Sequence, residues 1–212
     1  MSLTDIDDFN AWFRDYCRFV GTLGNIDREA KKIAACYTQK GRHYHNLRHI
    51  LDMRDAFLAN PMPRDAKALE FAIMMHDAVY DPKRHDNEER SAKLATEVAS
   101  RLFMPKSVIE LAPEMILATD HKRAPESDAA RHLVDLDLLI FAMPRNRLLE
   151  YDDGIRAEYR YVDEETYRRV RADVLGRFEA RSPLYLRPCF AQYETIAKEN
   201  LRFLRERLLS EK

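Results

Sequence analysis

The chain has 212 residues, of which 46% are hydrophobic and 33% charged, with 35 Lys and Arg against 36 Asp and Glu. The net charge of -1 argues against nonspecific nucleic-acid binding, and no apolar run approaches the ~20 residues of a membrane span. The sequence contains no Gly/Ser-rich linker, low-complexity tract or fixed-period repeat. We therefore expect one domain, residues 1–212, with a sizeable core.

Composition also indicates the fold class and the compartment. Glycine occurs only 5 times and helix-forming residues dominate, which predicts an all-α fold. The three cysteines, Cys17, Cys36 and Cys189, are odd in number and far apart, which is typical of a reducing compartment without a disulfide framework. The N-terminus lacks the basic-then-apolar pattern of a signal peptide, so we expect a cytoplasmic protein.

Two helices are predicted ahead of the first histidine-rich segment. Thr4 is a suitable N-cap for the first helix, and the spacing of its large side chains builds one apolar face. That face is expected to contain Phe9, Phe13, Tyr16, Phe19 and Val20. A second helix, capped by Asn25 or Asp27, is expected to extend to about Lys40.

Residues 42–58, RHYHNLRHILDMRDAFL, carry the first candidate chemical groups. His45 and His49 are four residues apart, so on a helix they share one face. Histidines paired at this spacing suit a metal site or acid–base catalysis, although solvated histidines give the same pattern.

Residues 71–82, FAIMMHDAVYDP, form the most informative stretch of the chain. The large apolar residues before His76 predict a buried helix closed by Pro82, which cannot continue it. A carboxylate inside such a helix is costly to bury unless something pairs with it, and a metal ion pairs with both His76 and Asp77. The simpler alternative is that the two side chains hydrogen-bond each other or a neighbouring helix.

The segment after Pro82 supplies further polar candidates. Asn87 and Glu88 begin a predicted helix, where they either reach back toward the His-Asp pair or serve as helix-capping residues. Pro113 is expected to start or kink the helix EMILATDHK after a short preceding helix. His121 falls at the end of that helix, where the helix dipole favours a histidine.

The helix DAARHLVDLDLLIFAM contains two aspartates on different faces. At ~100° per residue, Asp137 falls among apolar residues, whereas Asp135 falls in a more mixed setting beside an exposed His132. The pattern therefore favours Asp137 as the buried carboxylate and predicts that Asp135 is paired or solvated. A buried carboxylate without a cation near it in sequence needs a partner from elsewhere in the fold.

After Pro144 the sequence predicts two helices that break near residues 162–163, and then a last helix over about 190–208. The first of these is rich in arginine and tyrosine, including Arg156 and Tyr159. Such side chains line an anion pocket, or they form a salt-bridged surface with aromatic packing. The inner face of the last helix is expected to include Ile196, Leu201, Leu204 and Leu208.

The buried polar candidates form an ordered series along the chain: His49, His76 with Asp77, and Asp137, from three predicted helices. Two imidazoles and two carboxylates suffice for one octahedral ion with positions open for water or substrate. This ligand count predicts one divalent ion per chain, and because these ligand types suit several metals, the candidates are Mn, Mg, Fe, Co, Ni and Zn.

This series, H…HD…D in an all-helical chain, resembles the HD superfamily of metal-dependent phosphohydrolases, and within it the small bacterial family of predicted HD phosphohydrolases. The matching stretches are RHYHNLRHI, FAIMMHDAVYDP, DNEERSA, ILATDH, VDLDLLIF and GIRAEY, spanning residues 42–159, and RADVLGRFEARSPLY continues the likeness. YHNLRH is also similar to the YHNxxH signature of cyclic-nucleotide phosphodiesterases, which are distant relatives. The resemblance implies a single compact HD-domain helical bundle with additional C-terminal helices.

The resemblance also implies roles for individual residues. The implied metal ligands are His49, His76, Asp77 and Asp137. Asp135 is an alternative to Asp137, because the last aspartate of the superfamily often sits in a DxD-like stretch. His45 is the implied proton donor to the leaving oxygen, Asp77 also orients the nucleophile, and His121 assists near the metal or on the substrate. Candidate substrate contacts, assigned from residue type and position, are Arg42, Asn87, Glu88, Lys122, Arg156 and Tyr159.

We therefore expect an enzyme, a metal-dependent phosphoric ester hydrolase that uses a metal-activated water on a phosphomonoester or phosphodiester. The expected partner is a small phosphorylated or nucleotide-like substrate, with neither nucleic acid nor a membrane. The main alternative is a metal- or nucleotide-binding regulatory or sensor protein with little turnover, and a metal-free helical interaction module is a weaker one. The Arg/Tyr-rich region after Pro144 also suits a subunit contact in a homo-oligomer.

Overall fold

The structure, a computed structural model, describes residues 3–122 and 124–210, and every regular element within these ranges is helical, which confirms the all-α class. The α-helices are α1 (Leu3–Val20), α2 (Ile26–Tyr37), α3 (Leu47–Ala59), α4 (Ala66–Met75), α5 (Asn87–Arg101), α6 (Lys106–Leu117), α7 (Asp128–Asp137), α8 (Arg145–Glu158), α9 (Glu164–Ala180) and α10 (Glu194–Ser210). Short 3-10 helices cover Ala118–Asp120, Leu138–Ala142 and Pro188–Tyr193. These elements group into two compact units, one ending at Val134 and one beginning at Asp135. The single domain expected from the sequence stays a prediction.

Helix α4 forms the centre of the first unit because its sequence is apolar on nearly every side. Phe71, Ile73 and Met74 are fully buried, and α4 packs against α3, α5 and α6. Burying each such side chain contributes about 1.5–3 kcal/mol. A helix that is apolar all round has to be surrounded by other elements, and the C-terminal end of α4 is therefore also enclosed.

Helix α3 begins later than the spacing of its histidines predicts. The side chain of Asn46 accepts a hydrogen bond from the backbone N–H of Arg48 at 2.9 Å, so Asn46 is the N-cap. His49 lies inside α3, whereas His45 precedes the cap and adopts no helical position. The expectation that the two histidines share one helix face was wrong, because α3 begins only after Asn46, which lies between them.

Helix α4 ends at Met75, so His76 and Asp77 lie at its C-terminal end and not within it as predicted. His76 still has helical backbone angles, and its N–H donates to the carbonyl of Ala72 at 2.9 Å. Helix α6, in contrast, is longer than predicted, since one helix runs through Pro113 where the sequence predicted two.

In the second unit, α10 packs against α9 and against the turn Leu138–Ala142. The buried Asn200 amide ties α10 to that turn by donating to the carbonyls of Phe141 and Met143, at 2.7 and 3.0 Å. The predicted break at residues 162–163 is confirmed, and Asp163 caps α9 by accepting from the N–H of Thr166 at 2.9 Å.

Three side chains lie on the opposite side from their prediction. Phe19 is 66% exposed because it lies in the last turn of α1, and the Lys67 ammonium lies 4.6 Å from the centroid of its ring. Ile196 is 41% exposed, since it precedes Leu201 by five positions and so lies about 140° from the face that buries Leu201. His132 was expected to be exposed but is fully buried, with the ring of Phe57 6.2 Å away.

Throughout residues 3–122 and 124–210, each helix is too short or too polar to cross a membrane.

Candidate metal centre

Two helix ends in the first unit bring together two histidines and an aspartate. His76 and Asp77 follow the last turn of α4, and His49 lies in the first turns of α3, which packs against α4. His49 and His76 are buried, and Asp77 is half-buried. Their ligand atoms all lie within 4.8 Å of one another, and among the residues described this is the group whose chemistry suits a metal ion.

The Asp77 carboxylate lies between the two imidazoles. Its Oδ2 is 3.1 Å from Nε2 of His76 and 3.9 Å from Nε2 of His49. The two imidazole rings are 5.4 Å apart and inclined at 69°. Both rings therefore present their Nε2 edge to the same carboxylate oxygen.

The hydrogen bond at the other side of the His76 ring decides which nitrogen carries the proton. Nδ1 of His76 lies 3.0 Å from the carbonyl oxygen of Ile73, and a carbonyl can only accept, so Nδ1 donates. In a neutral imidazole Nε2 then presents a lone pair toward the Asp77 carboxylate, which also bears lone pairs. Either a second proton on the imidazole or a cation beside both atoms makes that approach favourable.

The Asp77 distances fit ligation of one ion. Bonds from a metal to imidazole nitrogen or carboxylate oxygen are ~2.1 Å, so two ligands of one ion lie ~3.0 Å apart at a right angle and ~4.2 Å apart when opposite. The separations of 3.1 and 3.9 Å fall within that interval. A histidine that donates Nδ1–H to a backbone carbonyl and offers Nε2 is also the usual arrangement of a metal ligand.

The carbonyl groups at the end of α4 are bound by residues of the same neighbourhood. The last carbonyls of a helix lack partners within the helix, so other groups have to supply donors. His76 donates to Ile73, and the Tyr37 hydroxyl donates to Met74 at 3.0 Å. The Arg42 guanidinium donates to the carbonyls of the two residues after His76, which are Asp77 at 2.7 Å and Ala78 at 3.1 Å.

The residues that follow are held by the first turns of α5. The Ser91 hydroxyl accepts from the N–H of Val79 at 3.0 Å and donates to its carbonyl at 3.1 Å. The Asn87 amide accepts from the N–H of Asp81 and donates to its carbonyl, at 3.0 and 2.9 Å. Asn87 and Ser91 are four residues apart, so one face of α5 binds the backbone on either side of Tyr80.

The sequence predicted a substrate contact for Asn87 and indicated no role for Ser91. The contacts of both side chains are with backbone groups of the segment 79–81, and a substrate role for Asn87 stays a prediction. The signal that could have found Ser91 is its four-residue spacing from Asn87 in DNEERSA, just after the His-Asp pair.

His45 lies next to this segment without being part of α3. Its ring stacks on that of Tyr80, with centroids 4.1 Å apart and planes inclined at 25°, and lies 6.3 Å from the ring of His49. The structure therefore brings the predicted proton donor close to one predicted ligand.

Two charged residues that were predicted to contact substrate, Glu88 and Lys122, contribute to the electrostatics near Asp77. Burial raises the pKa of Glu88, and the negative charge of Asp77 raises it further, whereas the positive charge of the exposed Lys122 lowers it. Glu88 thus lies near enough to both Asp77 and Lys122 for its charge to interact with theirs. His121 adopts a left-handed backbone conformation with φ of 56° after the turn Ala118–Asp120, and it lies outside the three-residue group.

The two aspartates of α7 have environments opposite to those predicted. Asp135 is fully buried, and its two carboxylate oxygens accept from the N–H groups of Leu186 and Arg187, both at 2.7 Å. Burial raises the pKa of Asp135 to about 6, although the two N–H donors oppose that shift. Asp137 is only half-buried.

The expectation that Asp137 is the more buried carboxylate was therefore wrong, and Asp135 is paired but not solvated. The helical repeat misled the prediction because α7 ends at Asp137 and the chain continues as a 3-10 helix, whose residues repeat every 3.0 and not every 3.6 positions. The backbone donors to Asp135 lie 51 and 52 residues further along the chain, and no local pattern reveals them. Whether Asp137 binds a metal stays a prediction.

In the second unit, the predicted substrate residue Arg156 joins the end of α8 to the start of α9. It donates to the carbonyls of Tyr159 and Val162, at 2.9 and 3.2 Å, and pairs with Glu164 at 2.9 Å. The ring of Tyr159 lies 6.5 Å from that of Tyr167. These contacts fit the salt-bridged surface with aromatic packing, while an additional role in substrate binding stays a prediction.

No protein-family model, curated protein or solved structure matches the chain. The resemblance to the HD superfamily therefore rests on the sequence motifs. A function for the chain is inferred from these motifs and from the chemistry of its own residues.

Proposed function

We propose that this protein is a metal-dependent phosphohydrolase that cleaves a small phosphomonoester or phosphodiester, with a nucleotide-like substrate. The observation that carries the proposal is the convergence of two buried imidazole nitrogens and one carboxylate at the end of α4. His49, His76 and Asp77 would hold one divalent ion, and the fourth ligand that the sequence resemblance implies, Asp137, stays a prediction.

The donor set fits such an ion. Imidazole and carboxylate together suit Mn, Fe, Co, Ni and Zn, and the hydrogen bond from His76 to Ile73 increases the basicity of the opposite nitrogen. When bound, the ion would lower the pKa of a water molecule and polarise a phosphoryl oxygen, which are the two requirements of phosphoric ester hydrolysis.

The remaining roles fall to side chains around the group. His45 is the proposed proton donor to the leaving oxygen, because an imidazole exchanges protons near neutral pH and its stack on Tyr80 restricts the ring. Lys122, His121 and Glu88 are proposed to contact the substrate, and the charge of Lys122 already acts at this end of the unit.

The test is metal content per chain by elemental analysis, on wild-type protein, on His76→Ala and on His85→Ala. His85 is an exposed loop histidine and serves as the matched control. We expect about one ion per chain in wild type and in His85→Ala, and none in His76→Ala, because loss of a ligand nitrogen breaks the set. The same samples are then assayed with Mn, Mg, Co and Ni on p-nitrophenyl phosphate, bis-p-nitrophenyl phosphate, nucleoside monophosphates and cyclic nucleotides.

The outcomes separate the alternatives. Wild-type protein that takes up no divalent ion, or a metal-free His76→Ala variant that hydrolyses phosphoric esters at the wild-type rate, contradicts the proposal. Metal binding without turnover on any of these substrates favours the metal- or nucleotide-binding sensor. About two ions per chain would make His121 a ligand as well, because two-metal sites need additional donors.

A further inference from the structure

Arg42 connects the two turns that carry the candidate metal centre. Its Nη1 donates to the carbonyl of His45 at 3.0 Å and to that of Asp77 at 2.7 Å, and its Nη2 donates to Ala78 at 3.1 Å. One guanidinium thus binds the backbone of the proposed proton donor and the backbone of a proposed metal ligand.

The position of this cation also suits the end of a helix. The carbonyls of Asp77 and Ala78 lie just beyond the last turn of α4, where the partial negative charge of the helix dipole is concentrated. A guanidinium is planar and presents several donors in fixed directions, so it can bind carbonyls from two chain segments at once. A lysine ammonium is a single point of charge and cannot reproduce that geometry.

Two aromatic rings pack against the guanidinium, and one of them also stacks on the His45 ring. The Arg42 guanidinium carbon lies 5.2 Å from the ring centroid of Tyr37 and 5.5 Å from that of Tyr80. Tyr80 in turn stacks on the His45 ring at 4.1 Å. Arg42 therefore binds the backbone carbonyl of His45 directly. It also contacts the ring of Tyr80, which stacks on the face of the His45 imidazole.

We propose that Arg42 is a positioning residue, whose guanidinium fixes the turn of His45 against the turn of Asp77 so that proton donor and ligand face one site. The inference rests on the proposed function for the roles of His45 and Asp77. It differs from the substrate contact expected from the sequence, because both Nη groups of Arg42 donate to backbone carbonyls.

The test compares Arg42→Met and Arg42→Lys with wild type and with Arg168→Met. Arg168 is the matched control, since it also donates from a half-buried guanidinium to a backbone carbonyl, that of Leu208 at 2.7 Å. Three quantities are measured: amide hydrogen exchange of a peptide covering residues 76–81, the Kd for Mn²⁺, and the Kd for inorganic phosphate at saturating Mn²⁺.

For Arg42→Met we expect faster exchange over residues 76–81 and an affinity for Mn²⁺ about 10–100-fold lower, the usual loss when a group that orients a ligand is removed. Arg42→Lys should give an exchange rate and an affinity for Mn²⁺ between those of Arg42→Met and wild type, because one ammonium replaces only some of the donors of the guanidinium. Phosphate affinity at saturating Mn²⁺ should stay within about twofold of wild type in both variants, since a positioning residue does not touch the anion. Arg168→Met should leave all three quantities unchanged.

Two results would overturn the inference. One is wild-type exchange over residues 76–81 in Arg42→Met. The other is wild-type affinity for Mn²⁺ combined with about tenfold weaker phosphate binding, which is the signature of an arginine that contacts the anion directly. If Arg42→Met fails to fold, Arg42→Lys decides by the same criteria. Wild-type protein that binds no Mn²⁺ contradicts the proposed function, while hydrogen exchange in the same samples still decides whether Arg42 fixes the turn.

Discussion

Asp77 is half-buried in the first unit and Asp135 is fully buried in the second, and the fold uses the two carboxylates differently. Both oxygens of Asp135 accept backbone N–H groups at 2.7 Å, and these bonds hold the loop that contains Leu186 and Arg187. At Asp77 the backbone carbonyl is bound by Arg42, and the carboxylate oxygen faces the imidazoles of His49 and His76.

The difference shows how a protein keeps a carboxylate directed at a ligand. Asp135 stabilises the fold because its oxygens are partners of the backbone, and little remains for them to bind. The turn of Asp77 obtains its stability from other side chains, because Arg42 donates to its backbone and Ser91 and Asn87 both donate to and accept from the backbone of residues 79 and 81. The carboxylate of Asp77 therefore does not have to hold the turn in place.

Replacing the carboxylate that faces the imidazoles should give the largest effect. Asp77→Asn keeps the shape but removes the charge, so we expect loss of bound metal and of phosphoric ester hydrolysis to background. The free energy of unfolding of metal-free protein should change by less than about 1 kcal/mol, because Arg42 binds the backbone and not the carboxylate. Elemental analysis, the hydrolysis assay and urea denaturation measure the three quantities.

Asp55→Asn is the matched control for this variant, because Asp55 is an exposed aspartate in the same unit. It should retain metal, activity and stability. An Asp77→Asn variant that keeps its metal and its activity would show that Asp77 serves only as a hydrogen-bond partner of the imidazoles.

Removal of the other carboxylate should act on stability. Asp135→Ala leaves two backbone N–H groups without their charged acceptor, and hydrogen bonds to charged groups contribute about 1.5–3 kcal/mol each. We expect the free energy of unfolding, measured with urea, to fall by about 2–4 kcal/mol, less than the sum of the two bonds, because the cost of burying the charged carboxylate offsets part of their contribution. Asp128→Ala, which removes an exposed aspartate from the first turn of the same helix, should change it by less than about 0.5 kcal/mol. Equal stability of Asp135→Ala and wild type would mean that the loop does not depend on this carboxylate.

The contrast between these aspartates also marks the limit of what the sequence could predict. The all-helical class and the burial of His49 and His76 follow from composition and apolar patterns, and the structure confirms them. The ordered series of histidines and aspartates and its resemblance to known motifs predicted that Asp77 joins both histidines, and the three side chains lie together in the structure. Periodicity is reliable inside long regular helices, because 3.6 residues per turn fixes which side chains share a face.

Predictions failed where a helix ends or where the partner is distant in sequence. Asn46 excludes His45 from α3, and α4 stops before His76, so periodicity extended beyond either helix gives the wrong geometry. The burial of Asp135 depends on a loop that follows two further helices, and the role of Arg42 depends on carbonyls 35 and 36 residues away. Such pairings leave no local pattern in the sequence, since they arise only when separate elements pack.

A third enclosed carboxylate, Glu29 in the first unit, has cations as partners and allows a finer comparison. Its side chain accepts from Arg101 at 2.9 Å and from Lys32 at 3.3 Å. Burial by itself raises the pKa of Glu29, but hydrogen bonds and charges from Arg101 and Lys32 outweigh it, so the pKa lies below its usual value. Glu29 resembles Asp135 in having hydrogen-bond donors for its oxygens, and it resembles Asp77 because the groups that its oxygens face belong to side chains and not to the backbone.

This pairing should produce the smallest of the expected effects. Because the pKa of Glu29 is lower in the folded than in the unfolded chain, its contribution is complete at neutral pH and is lost as the pH falls below about 4.5. Glu29→Gln should lower the free energy of unfolding by about 1 kcal/mol at pH 7, and the difference from wild type should shrink toward pH 3. Urea denaturation across that range measures it, with Glu97→Gln as control because Glu97 is an exposed and more distant partner of Arg101, at 3.7 Å. Bound metal should be unaffected in Glu29→Gln, because Glu29 and Arg101 take no part in the group around Asp77. A difference in unfolding free energy that stays constant from pH 7 to pH 3 would show that Glu29 acts through its packing and not through its charge.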